Sequence, residues 1–88
     1  MKKFIVAWNH AQARHYAQMQ EWPRSEWTFI AMSQSVKLKG LRDVIVIELR
    51  APRYRPSNEE SLHHQAMADL LIVGQAHGHF KLNVATLP

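Results

Sequence analysis

The stretch Asp43-Val44-Ile45-Val46-Ile47-Glu48-Leu49 carries its apolar residues without a break. A strand with one wet face alternates between apolar and polar positions. An unbroken, mostly β-branched run therefore predicts a strand covered on both sides, near the middle of a sheet. An acidic residue at each end, with Arg42 and Arg50 just outside, marks where the chain returns to water. Lys3 to Trp8 repeats the pattern, with Lys2 and Lys3 solvating its start, and Trp27 to Met32 supplies a third run of aromatic and β-branched residues.

The segments between these runs read as helix or turn. Asn9 is a good N-cap, and Gln12 three residues on completes a capping-box spacing, so a helix is predicted from about His10 to Glu21. Ala13, Tyr16, Ala17 and Gln20 share one stripe of that helix, and Pro23 closes it. Strand, helix and strand then form a right-handed βαβ unit. Ser33 to Arg42 is long enough for a short crossover with one turn of helix, which makes the next strand parallel as well. Beyond the prolines at 52 and 56, Ser57 and Glu60 form a second capping box. The helix it opens runs from about Asn58 to His77, with Leu62, Ala66, Leu70 and Val73 as its apolar stripe and Met67, Leu71 and Gly74 widening it. Gly78 is the stop. Phe80, Leu82 and Val84 alternate with Lys81, Asn83 and Ala85, the pattern of a half-exposed edge strand or of a tail that pairs with a partner chain. The sum is one α/β domain over residues 1–88. It reads as a small three-layer Rossmann-like fold of three parallel strands and two main helices, with a candidate fourth edge strand and the 43–49 strand beside the 3–8 strand.

Composition narrows the class. A chain of 88 residues makes one domain. A domain of that size buries roughly 60–65% of its unfolded surface, so its core is thin and a homodimer is a natural support. With 47% hydrophobic residues and 20% charged, it belongs among ordered globular chains. The absence of cysteine excludes disulfides and thiolate metal sites and fits a reducing compartment. The apolar run after Met-Lys-Lys breaks at Asn9-His10, too soon for a signal peptide, and no window reaches the length of a membrane span. The expectation is a cytoplasmic protein without membrane partners. Its net charge of +4 favours polyanions or acidic protein surfaces.

The order Ile5-Val-Ala-Trp-Asn9, then Ala11-Gln-Ala13, followed by Lys39-Gly-Leu-Arg-Asp-Val-Ile-Val-Ile-Glu48, resembles part of the RecA-like core of phage helicases and terminases. In that family a Gly-Leu-Arg-type turn precedes a Walker B strand ending Asp-Glu. Here Ile47 stands where the metal-holding Asp belongs, and no G-x-x-x-x-G-K-[ST] phosphate loop exists. The resemblance is to small phage-encoded Rossmann-like proteins of unknown role. It implies a phage or prophage origin, a host cell's cytoplasm and a fold that persists without phosphoryl transfer.

Candidate chemistry is sparse. None of the six histidines, His10, His15, His63, His64, His77 and His79, sits in H-E-x-x-H, so no metal site is expected. Ser33 and Ser35 lack a G-x-S-x-G setting, and Glu48 is expected to pair with a neighbouring arginine. Asn9 and His10 stand at the carboxyl end of the first strand, where open α/β sheets place ligands, although Asn9 alone also serves as a cap. The richest patch is Arg50, Arg53, Tyr54 and Arg55 on the Pro-stiffened loop. Three guanidinium groups around one ring suit phosphates and a stacked base, or a protein hot spot, or else a solvated loop whose arginines pair with Glu59 and Glu60. Trp22 and Trp27 flank the Pro23 loop at the opposite end, one expected in the core and one more exposed. These residues predict a non-catalytic binding module without cofactor that engages a host or phage protein, with direct DNA or RNA binding through the Arg50–Arg55 loop as the alternative.

Overall fold

The computed structural model describes residues 3–87 of the chain; Lys2, assigned above to the solvated start of the first strand, lies outside them. Four strands form one sheet: β1 (Lys3–Ala7), β2 (Trp27–Ala31), β3 (Val44–Arg50) and β4 (Phe80–Thr86). All neighbours are parallel and the order is β2-β1-β3-β4. Helix α1 (His10–Met19) links β1 to β2, and α2 (Asn58–Ala76) links β3 to β4. The β2-to-β3 crossover is a kinked 3₁₀ segment, Met32–Leu38, and a shorter one, Arg24–Glu26, leads into β2. Residues 80–86, expected as a candidate edge strand, form a seven-residue strand paired with β3 along its whole length, from Val44↔Phe80 to Arg50↔Thr86.

Alternation along the inner strands divides the core in two. Val6, Ile30 and Val46 point to the face covered by α2 and the 3₁₀ crossover, where they pack with Leu38, Met67, Leu71 and Phe80. Ile5, Ala7, Trp27, Ile47 and Leu49 point to the other face, against Ala13 and Ala17 of α1. β3 is thus sheathed on both sides, as an unbroken apolar run requires. The two alanines give α1 a smooth face for close approach to the sheet. Trp27 is the core tryptophan; Trp22 is half-buried, edge-on to Tyr16 with the Lys3 ammonium 4.9 Å from its ring.

The helix ends repeat one device. Trp22 N–H donates to the Ala17 carbonyl and Glu21 N–H to that of Gln18; His79 and Gly78 do the same toward Gly74 and Gln75. This Schellman pattern needs a left-handed residue after the cap. Gly78 takes it at φ 75°, whereas α1 uses Glu21 at φ 60° and ends earlier than expected, at Met19. Asp43 is also left-handed, at φ 58°, which ends the preceding turn and starts β3 one residue later than the pattern suggested.

One expectation is corrected. On α2 the residues turned inward are Met67, Leu71 and Gly74, while Leu62, Ala66 and Val73 of the expected stripe are exposed and Leu70 is half-buried. Apolar residues occur almost all round this helix, so periodicity alone could not choose its buried face. The choice is made at Gly74, whose bare Cα lets the helix settle on the Phe80 ring.

Candidate functional site

The connections from β1 and β3 leave toward opposite faces, so the strand order reverses between these two strands. In open parallel sheets such a switch point opens a crevice outside the carboxyl ends. Here a cleft of about 480 Å³ occupies that edge on the α2 face. Trp8 from the end of β1 and Glu48 to Pro52 from the end of β3 form one wall; His64, Ala68 and Ile72 of α2 and Leu82 and Val84 of β4 form the other.

Trp8 is placed by local hydrogen bonds. Asn9 Oδ1 accepts from Gln12 N–H at 2.9 Å, and Gln12 Oε1 accepts from Trp8 N–H at 3.2 Å. The expected box therefore closes on the residue before the cap and holds the β1 terminus. The Trp8 ring is stacked on Tyr54 with centroids 5.2 Å apart, and His64 lies at 5.2 Å in a tilted arrangement. Trp8 also borders a second hollow of about 240 Å³, shared with Ser33, Glu59, Glu60 and His63.

The Tyr54 hydroxyl donates to Glu60 Oε2 at 2.6 Å. Glu60 Oε1 accepts from Ser57 N–H at 2.9 Å, and Ser57 Oγ accepts from Glu60 N–H at 3.1 Å. The loop is thereby fastened to the first turn of α2. These bonds hold the Glu60 carboxyl below its ordinary pKa, chiefly through the Ser57 amide and next through Tyr54, with burial opposing. The same bond raises the Tyr54 phenol above its usual value, with burial and the Glu60 charge adding to it. A carboxylate whose folded pKa is depressed contributes stability above the unfolded pKa of about 4.3, lost as pH falls through the depressed value. Glu60→Gln is accordingly expected to lower Tm at neutral pH, the gap from wild type closing as the pH drops below the carboxylate range. A gap independent of pH would show that the charge of Glu60 is not what fastens the loop.

The expected pairing of the loop arginines with Glu59 and Glu60 is not found. Arg50 Nη2 instead lies 3.3 Å from Glu48 Oε2, the pairing expected for Glu48, whose side chain is only 12% exposed against 63% for Arg50. Glu59 lies 3.7 Å from His63. Each carboxylate at this edge thus has an internal neighbour, whereas Arg53 and Arg55 are exposed and, among the described residues, within 4.0 Å of none.

Of the residues singled out in the sequence, Arg50 and Tyr54 border the cleft or its aromatic wall, and Arg53 and Arg55 flank it on the same loop. Asn9 spends its side chain on the α1 cap. His10 sits on the other face of the sheet, 5.7 Å from the Trp27 ring and 5.5 Å from Phe29, and does not converge with the arginines. Sequence reasoning missed Trp8 and His64. A tryptophan ending an apolar strand immediately before a cap was the available signal for the first; nothing local marks the second. Among the described residues no three His, Asp or Glu side chains cluster as metal ligands would, and no helix is long and apolar enough to cross a membrane. No family model, curated protein or solved structure matches the chain.

Proposed function

We propose that this protein is a non-catalytic binding module that docks a segment of another protein at the carboxyl edge of its sheet. The single observation that carries the reading is the composition of the cleft. Its walls are apolar and aromatic, from Trp8, Leu71, Ile72, Leu82 and Val84, and the charge beside it is held on a fastened loop. An apolar floor with a charged rim is the anatomy of a protein interface. The partner's segment is acidic with an apolar anchor: the carboxylates of this edge have neighbours of their own, so Arg53 and Arg55 supply its available charge. A host or phage protein, those of the nucleic-acid machinery included, is the proposed source of that segment, a choice that rests on the resemblance of Lys39 to Glu48 to small phage-encoded proteins.

The second reading, direct binding of DNA or RNA by Arg50, Arg53, Tyr54 and Arg55, is favoured by the charge of +4 and by the loop. It is disfavoured by the state of Tyr54, which gives one ring face to Trp8 and its hydroxyl to Glu60 and so is poorly placed as a stacking platform. Titration of labelled single- and double-stranded DNA and RNA into the protein separates the two. The protein-docking reading expects only weak association that disappears by physiological salt. Sub-micromolar binding with a steep salt dependence, reduced by Arg53→Glu/Arg55→Glu, would establish nucleic acid as the ligand.

A further inference from the structure

The outer edge of β4 differs from that of β2. β2 is five residues long and bounded at each end by a 3₁₀ segment. β4 runs for seven residues in unbroken register with β3, contains no proline, and carries a single charge, Lys81. Its ladder continues past the strand, where Leu87 N–H donates to the Arg50 carbonyl at 2.7 Å. Proteins ordinarily shorten, bulge or charge such an edge, because its outward N–H and C=O groups are a template for another strand. Beside this edge stand two exposed apolar side chains, Val84 at 51% and Ile72 of α2 at 64%, on the face where the cleft opens.

We propose that a second copy of this chain occupies the edge, with the β4 strands of two protomers pairing antiparallel about a two-fold axis at Asn83. The strand is self-complementary in that register. Leu82 falls opposite the partner's Val84 on the α2 face, Lys81 opposite the partner's Ala85 on the other, and Phe80 opposite the partner's Thr86. No like charges meet, and one face gains an apolar cross-strand pair twice over. The result is a continuous eight-stranded sheet, β2-β1-β3-β4-β4-β3-β1-β2. An axis normal to the sheet keeps both α2 helices on one side, antiparallel, with Ile72 turned toward the seam. The second helix walls the open flank of each cleft and leaves the mouth at Arg50, Pro52 and His64 free. The assembly also extends the thin core of an 88-residue domain.

The register makes the test specific, because Asn83 meets itself and is exposed. Sedimentation equilibrium of the full chain from about 1 to 200 μM is expected to give twice the 10.2 kDa chain mass. Asn83→Lys and Asn83→Glu each place like charges opposite one another, and each is expected to weaken association at least tenfold without changing the circular dichroism spectrum or the Tm extrapolated to low concentration. Mixing the two variants is expected to restore the dimer as a heterodimer. A wild-type mass of one chain throughout, or a dimer indifferent to both substitutions, overturns the proposal; failure of the mixture to reassociate overturns the Asn83 register.

Discussion

Val46→Asp and Ile47→Asp are each expected to leave the chain unfolded at 25 °C, with far-ultraviolet circular dichroism of a coil and no cooperative melt. The two positions are adjacent, so their side chains enter opposite faces of the sheet. Val46 is fully buried among Val6, Ile30, Leu38, Met67 and Leu71, and Ile47 is 3% exposed among Ile5, Ala7, Ala13 and Ala17. Burying an unpaired carboxylate costs several kcal/mol even after relaxation. A domain of this length has a total stability of about 4–13 kcal/mol, and a thin core places it toward the lower end. The control is Ile47→Val, which removes one methyl group and is expected to cost about 0.5–1.5 kcal/mol while the fold persists. The adjacent pair discriminates because a strand with one wet face would tolerate one of the two aspartates. A folded, cooperative Ile47→Asp would show that α1 does not cover β3.

Gly74→Ala is expected to destabilise by about 1–3 kcal/mol, lowering Tm by roughly 5–20 °C. The sign runs against helix propensity, by which Ala in place of Gly within a helix gains about 0.5–1 kcal/mol. At Gly74 a Cβ would enter the edge of the Phe80 ring, itself only 6% exposed and fixed at the start of β4 immediately after the α2 stop. The added methyl group must push the helix off the sheet or turn the ring out of its place beside Leu71. Trimming the ring should relieve the conflict. In the Phe80→Leu background the same Gly74→Ala change is expected to cost less than in wild type, the mark of two residues competing for one space. A higher Tm for Gly74→Ala alone would mean that helix and ring do not approach as described.

These residues also show what the sequence makes legible. The interior strands were readable because being covered on both faces leaves a compositional trace in each strand separately. The Asn9 and Ser57 caps were readable because the bonds that make them span three residues. The buried face of α2 was not, since Leu62, Ile72 and Val73 are as apolar as Met67 and Leu71, and the choice depends on where Phe80 lies after the chain has turned back. The candidate site at the carboxyl edge divides the same way. The arginine loop stood out between its prolines, but the aromatic contacts of Trp8 with Tyr54 and His64 join the end of β1 to a loop and helix far along the chain. Tyr54, grouped with the arginines as a recognition side chain, proves to be committed to Trp8 and Glu60 and acts as the fastener of the loop.

The most direct measurement is a selection from a random twelve-residue peptide library on the immobilised 88-residue chain, run in parallel on Arg53→Glu/Arg55→Glu. Wild type is expected to enrich peptides that carry a large apolar residue beside Asp or Glu. The charge-reversed variant should retain the apolar anchor and exchange the acidic residues for Lys or Arg. Enrichment of the same peptides by both proteins, or of basic peptides by wild type, would contradict the assignment of the carboxyl edge as a surface that grips an acidic partner.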